Sequence, residues 1–310
     1  MHAAVVSAFD RAPRWEAFDD PSEGTVVDVV AAALHPRVRS QANGSHYTST
    51  EELPLVPGID GVARLPDGSL VYFVLPDTRF GSMAERVGID LRRSIPLAVG
   101  QDPVAIAAAM NPAMSSWIAL RRRVLFQPGQ SVLILGATGS AGQLAVQVAG
   151  RLGASRIVAA GRDQATLEVL GSDEIVSLAG DLPEAAARVG EAAAGVDVVI
   201  DYLWGAPAEA VIPALLHRRD DRDRRLAWVQ VGAITGPELT IRSELLRGAN
   251  LQLMGSGQGS VSTGDILEEL PLLAAQVGSF SLNVDVRPMS SVESVWGEPR
   301  SGRSRVVLTN

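Results

Sequence analysis

The chain contains no cysteine, which excludes disulfides, thiolate nucleophiles and every zinc site that needs a Cys ligand. It contains no lysine either, since all 27 basic residues are arginine. Schiff-base catalysis and the phosphate-gripping lysine of a Walker loop are therefore out of reach. Its four histidines, His2, His35, His46 and His217, stand too far apart to show a ligand pair such as HxxxH, and the sequence predicts no catalytic metal. Basic charge is not in excess. A formal net charge of -8 argues against a nucleic-acid or anionic-membrane partner, because phosphate contact needs a concentrated basic surface. The dense run RRDDRDRR, 218–225, alternates in sign and reads as a solvated surface loop. No apolar run free of charge or Pro/Gly breaks approaches the ~20 residues that span a bilayer. Asp10, Arg11, Arg14, Glu16, Asp19 and Asp20 interrupt any apolar core of a secretory signal. A soluble, cytoplasmic protein is the expectation.

What is present is a chain of 310 residues, 46% hydrophobic, long enough for two domains. From Ser131 onward, short apolar runs alternate with helical patterns: SVLIL (131–135), RIVAA (156–160), EIVSL (174–178), VDVVID (196–201) and LAWVQV (226–231). That alternation is the signature of βαβ units and a parallel sheet covered on both faces. The first helix after SVLIL carries Leu144, Val148 and Leu152 at helical spacing. The first 115 residues differ. TVVDVVAAAL, VARL and SLVYFVL are separated by turn signals at Pro57-Gly58 and Pro66-Asp67-Gly68, which predicts a mainly β domain. SFSLNVDVRPM and RVVLTN near the C-terminus have strand character and can return to it. The division expected is 1–115 and 255–310 for the β domain and 116–254 for a nucleotide-binding Rossmann domain, with GSGQGSVSTG, 255–264, either the crossing between them or a flexible linker.

The centre of the second domain is GATGSAG, Gly136 to Gly142, between SVLIL and an amphipathic run. A strand that feeds a glycine turn into a helix N-terminus aims unpaired N–H groups and the positive end of the helix dipole at one spot, where a pyrophosphate fits. The pattern is GxxGxxG rather than the commoner GxGxxG, so the flanking strand, helix and second strand carry the assignment. An acid about 20 residues past the glycines, at the end of the second strand, would read the ribose 2′-OH of NAD. Gly161 stands there, followed by Arg162. A small residue leaves room for a 2′-phosphate and a guanidinium pairs it, which favours NADPH, while Asp163 points the other way.

With these residues in place, the chain resembles the zinc-free quinone oxidoreductases of the medium-chain dehydrogenase/reductase superfamily along nearly its whole length. The resemblance is carried by LPLVPGIDGVARL, FGSMAERV, AAMNPAMSSWIAL, QPGQSVLILGATGSAGQLAVQVAGRLGA and the terminal SGRSRVVL. It implies a Rossmann doubly wound parallel sheet inserted in a GroES-like, mainly β catalytic domain. Where zinc-dependent relatives have Gly-His-Glu this chain has Gly58-Ile59-Asp60, and Asp60 reads as a structural turn residue. The resemblance places Gly136, Ala137, Thr138, Gly139, Ser140, Ala141 and Gly142 at the pyrophosphate, and Ser115 of PAMSSW near the nicotinamide. Val231 and Gly232 fall at the carboxyl edge of the sheet, and Gly255 and Ser256 on a loop beside the nicotinamide. It allows Arg303 to reach the cofactor phosphates.

The implied reaction is hydride transfer from NADPH to a small-molecule acceptor that takes electrons readily, a quinone or an activated enone. Tyr47 matches a family tyrosine and can hydrogen-bond the acceptor oxygen, with His46 as the alternative donor, at an unperturbed pKa of ~6.5. Two other readings stay open: an enone or enoyl thioester reductase of the same fold, and an NADPH-binding protein whose output is an interaction. LQLMG, 251–255, reads as a further strand at the sheet edge, where an unpaired apolar strand invites a second copy. A homodimer is expected, as the family often forms.

Overall fold

A computed structural model describes residues 1–298 and 304–310. Two compact units emerge, Met1–Asn111 with Leu270–Asn310, and Pro112–Glu269. In this division Gly255–Glu269 goes with the second unit.

In the first unit β1 (His2–Val5) pairs antiparallel with β2 (Arg14–Ala17). A larger sheet is built on β3 (Thr25–Leu34), whose β-branched run bends at a bulge between Val29 and Ala31. On one side β3 pairs with β4 (Asp60–Arg64), followed by β5 (Leu70–Val74) and β7 (Ser94–Pro96), and β6 (Arg86–Ile89) pairs with the start of β3. On its other side lie the C-terminal strands. The order is β14-β15-β3-β4-β5-β7, so both chain ends share one mostly antiparallel sheet. Helix α1 (Pro36–Ala42) follows β3, and α2 (Pro103–Ile118) continues as a π turn over Ala119–Arg123. Pro103–Arg123 is apolar enough to be weighed as a membrane span, but 67% of its apolar 18-residue window is buried, as in a core helix.

The second unit is a six-stranded sheet made of β8 (Ser131–Leu135), β9 (Arg156–Gly161), β10 (Glu174–Ser177), β11 (Val198–Asp201), β12 (Leu226–Gln230) and β13 (Leu251–Gly255). Every neighbouring pair is parallel, in the order β10-β9-β8-β11-β12-β13. This is the doubly wound Rossmann order, and its strand order reverses between β8 and β11. Alternation sorts the side chains by face. Leu133, Leu135, Val158, Ala160 and Val199 pack with Val189 of α5 (Leu182–Ala192) and Ile212 of α6 (Gly205–Arg218). Between β8 and β9 runs α3 (Ser140–Arg151), with Leu144 and Val148 buried. Short helices α4 (Gln164–Glu168) and α7 (Ser243–Arg247) belong to this unit, and the division falls within the longer α8 (Thr263–Ala274), whose residues from Leu270 onward are counted with the first. There α9 (Val292–Gly297) lies between β14 (Val284–Pro288) and β15 (Arg305–Thr309) in chain order.

Two sequence expectations are corrected. RRDDRDRR is not simply solvated. Arg219 is 4% exposed and donates to the carbonyls of Ala194 and Val196 at 2.9 and 2.8 Å, while Arg224 pairs with Asp197, whose Oδ2 accepts the N–H of Ser131 at the start of β8. Alternating signs hid this because the partners are distant in sequence. Asp60 is not a turn residue but the buried first residue of β4. It accepts Tyr72 OH at 2.9 Å and meets His35 Nε2 at 3.1 Å. Burial holds His35 below the usual imidazole range, so a neutral ring donates to the carboxylate. The turn falls at Gly58, with φ +115.

Candidate cofactor-binding and active site

The carboxyl end of β8 turns sharply at Gly136, φ +89, a backbone conformation that favours glycine. Gly136 and Ala137 both donate their N–H to the Ala160 carbonyl at 2.9 Å, which ties the turn to β9. Gly139 then forms the N-cap of α3, and no side chain caps that helix end. The three glycines answer to different demands. A Cβ on Gly142 would lie 2.2 Å from the Gly136 carbonyl oxygen and 2.7 Å from Ala137 Cα, so the helix can rest on the turn only with glycine there. At Gly136 the positive φ decides. At Gly139 neither applies: a Cβ would have one ordinary contact, 3.6 Å, and would project into open space. The fold does not require glycine at Gly139, and no side chain caps the first N–H groups of α3, those of Ser140, Ala141 and Gly142. This cradle fits a dinucleotide pyrophosphate, where anion and helix dipole attract.

β9 ends at Gly161, which is buried. The expectation that its small size leaves room for a phosphate is corrected here, because Thr138 fills the space: a Cβ on Gly161 would lie 2.4 Å from Thr138 Cγ2. Arg162 is exposed beside it. Asp163, the residue that argued for NAD, uses its Oδ1 to accept the Thr166 N–H at 3.1 Å and cap α4.

Across the switch point, β11 ends in Asp201, which is fully buried. Its Oδ1 accepts the N–H groups of Leu203 and Trp204 at 2.8 and 3.0 Å, and its Oδ2 accepts Trp228 Nε1 at 3.0 Å. Burial pushes this carboxyl above its usual range against those hydrogen bonds. The bonds hold Trp204 at φ +58, left-handed for a bulky residue, at a cost on the order of 1 kcal/mol. Main-chain N–H groups of Val231 and Gly232 donate to the Asp201 carbonyl at 2.8 and 3.1 Å. Both residues are half-buried at the carboxyl edge. Ser115 Oγ lies 2.9 Å from the hydroxyl of Tyr202. Ser256 donates its N–H to the Gln230 carbonyl at 2.9 Å, and the Gly255 carbonyl accepts Arg123 Nε at 2.9 Å. The glycine run, read from sequence either as a crossing between domains or as a flexible linker, is gripped by Arg123, which also reaches the Ser260 carbonyl at 3.2 Å.

Asp201, Tyr202 and Arg123 were missed by sequence reasoning. A buried strand ending in an acid was the available signal for Asp201, since such a group needs partners.

In the first unit, His46 and Tyr47 stack with ring centroids 4.3 Å apart. Tyr47 is 73% exposed. His46 Nδ1 accepts the Thr48 N–H at 3.2 Å, and Thr48 Oγ1 is 2.6 Å from Asp77 Oδ2. Burial, and then the Arg37 guanidinium, lower the His46 imidazole to about 4, so the unperturbed value assumed from sequence does not hold. Among the described residues, no group of three or more His, Asp or Glu side chains gathers as metal ligands. Arg303 lies outside the described residues.

No family model matches the chain. Over 357 aligned positions, covering 99% of each chain, it is 31% identical to a protein of Emericella nidulans described as a probable NADPH-dependent quinone reductase. It is 28% identical over 170 positions to a 2-methylene-furan-3-one reductase of Solanum lycopersicum, covering 50% of this chain and 44% of that one. Among solved structures, the quinone oxidoreductase of Thermus thermophilus, known also in complex with NADPH, matches with a TM-score of 0.78 at 24% identity over 100% of both chains. Whole-length similarity of this depth, joined to a doubly wound parallel sheet and a separate, mostly antiparallel one, makes the chain a member of the quinone oxidoreductase family of the medium-chain dehydrogenase/reductase superfamily.

Proposed function

We propose that this protein is an NADPH-dependent reductase that passes hydride to a quinone or a similarly activated acceptor without zinc. The observation that carries the cofactor choice is the end of β9, where the neighbouring acid, Asp163, is committed to capping α4 while Arg162 stays exposed next to Gly161. The acceptor class rests on the whole-length relative, whose name specifies quinone reduction with NADPH.

Bound NADPH supplies the hydride, and the chain supplies alignment and charge. The N–H groups of Ser140, Ala141 and Gly142, presented by the turn of Gly136, Ala137, Thr138 and Gly139, hold the pyrophosphate, and the Arg162 guanidinium pairs the 2′-phosphate. Ser115, Val231, Gly232, Gly255 and Ser256 border the nicotinamide half. Tyr47 is assigned as the donor to an acceptor oxygen, and His46, neutral above about pH 4, has no imidazolium proton to give there. β13 pairs with β12 alone among the described strands, and we assign the homodimer to that open edge. The compartment proposed is the cytoplasm.

The test is NADPH oxidation across quinones, alkenals, enones and enoyl thioesters, before and after chelator dialysis. Quinone turnover that survives chelation is expected. Turnover confined to enones would favour the second reading, to which the partial likeness to a furanone reductase points. Tight NADPH binding with no oxidation by any acceptor would leave only the binding protein.

A further inference from the structure

The glycine turn fixes the middle of a dinucleotide, and the sheet order then fixes its two ends. β9, on one side of β8, ends at Gly161 with Arg162 next in the chain, and takes the adenosine side. The nicotinamide half extends the other way, over the carboxyl ends of β11 and β12. The residue that follows β11 is Tyr202, and three of the assigned cofactor residues converge on it. A Cβ on Gly136 would lie 3.2 Å from the Cβ of Tyr202, and a Cβ on Gly232 would lie 2.9 Å from its carbonyl oxygen. Its hydroxyl is 2.9 Å from Ser115 Oγ. Its main-chain N–H is anchored to the Leu135 carbonyl at 3.1 Å.

The hydrogen-bond inventory at Ser115 is restrictive. A serine hydroxyl has one proton and two lone pairs. The proton goes to the Pro112 carbonyl at 2.7 Å, so Tyr202 must be the donor in the tyrosine–serine pair. One lone pair of Ser115 remains, and through it the serine can only accept. The geometry points to Tyr202 as a positioning residue that fixes Ser115 as a hydrogen-bond acceptor for the nicotinamide-riboside half of the cofactor, whose matching donor is a carboxamide N–H or a ribose hydroxyl. Burial pushes the Tyr202 hydroxyl up to about 12, so it keeps its proton at neutral pH. The inference rests on the dinucleotide reading above and deepens it.

Calorimetric titration with two ligands separates the two. NADPH carries the nicotinamide half, whereas adenosine 2′,5′-bisphosphate lacks it. The wild-type protein binds both if the dinucleotide reading holds, and binding of neither ligand would end that reading and this inference together. Given wild-type binding, Tyr202→Phe is expected to weaken NADPH by about 3- to 10-fold, as for one lost hydrogen bond, and to leave the bisphosphate unchanged. Ser115→Ala should do the same. Because Tyr202 acts through Ser115, the double variant should be no weaker than Ser115→Ala alone. Additive losses, equal losses for both ligands, or no loss of NADPH affinity would overturn the assignment. If Tyr202→Phe fails to fold, as its melting curve would show, Ser115→Ala alone must still weaken NADPH and spare the bisphosphate, and equal effects on the two would count against it.

Discussion

Two short segments were marked for chemistry, and the structure treats them differently. GATGSAG is set by contacts between backbone atoms a few residues apart and by one strand neighbour: the Gly136 conformation, the seating of Gly142 on the Gly136 carbonyl, and the N–H groups of Gly136 and Ala137 on Ala160. The loop that carries His46 and Tyr47 takes its character from Arg37 and Asp77, which are close to it only in the folded chain. Sterics of adjacent backbone are readable from residue types, whereas the charge environment of a loop is readable only after folding. Four experiments press on this contrast.

The largest effect is expected within the glycine turn. Gly142→Ala forces a Cβ to within 2.2 Å of a carbonyl oxygen, and since the obstacle is backbone, the helix must lift. We expect a loss of about 3 kcal/mol or more, at the upper end of overpacking effects, seen as a fall in the urea midpoint. Gly139→Ala is the control. Its Cβ meets only an ordinary contact, so stability should fall by less than about 1 kcal/mol while NADPH affinity drops at least about tenfold. If both variants lost stability equally, the division between fold glycine and ligand glycine would be wrong.

Next in size is Arg162→Ala. Loss of a charged hydrogen bond to the 2′-phosphate should cost NADPH about 1.5–3 kcal/mol, roughly 10- to 150-fold in affinity, and leave NADH nearly unaffected. Equal losses for the two cofactors would reduce Arg162 to a supporting role, and a wild-type preference for NADH would return the ribose to Asp163.

A third experiment sharpens the same point through packing. Gly161→Asp would supply the acid that reads a ribose 2′-OH, but its Cβ runs into Thr138 at 2.4 Å. By itself it should destabilise the protein by about 1–2 kcal/mol. Combined with Thr138→Ala, which removes the Cγ2 and Oγ1 atoms, most of that stability should return and selectivity should move toward NADH. A single variant already as stable as wild type would mean that Thr138 simply rotates aside.

Much of the second unit was legible because its strands are continuous apolar runs and its helices keep a strict period. LQLMG and SVLIL coincide with β13 and β8, and RVVLTN contains β15, which returns to β3. Strands of three or four residues, such as β6 and β7, carry too few positions for alternation to register. At the site, the glycines and Arg162 stood out by type. Tyr202 did not, because its importance comes from Ser115, 87 positions away. Arg219 and Asp60 were misread for a related reason: a charge judged by its neighbours in sequence looks solvated until the distant carbonyls, or the buried histidine and tyrosine, come into contact with it.

The smallest effect should come from the other segment. With its imidazole lowered to about 4 by burial and by Arg37, His46 is neutral from pH 5 to 8, so no inflection in kcat/KM over that interval should belong to it. Accordingly His46→Gln should change kcat/KM by less than about threefold, an effect under about 1 kcal/mol. The sign of the linkage is fixed by the same shift. The unfolded chain protonates this histidine near pH 6.5 and the folded chain only near 4, so between those values the unfolded state binds more protons and stability falls as the pH is lowered. The contribution is whole above about pH 6.5 and declines through the acid range, blunted by solvent because the ring is only half-buried. His46→Gln removes the titrating group, and its urea midpoint should therefore depend less steeply on pH between 6.5 and 4 than that of the wild type. A parallel pair of curves would show that the ring is as well solvated folded as unfolded. A hundredfold loss of kcat/KM with a vanished inflection near neutrality would instead restore His46 as the proton donor and put this loop on the same footing as the glycine turn.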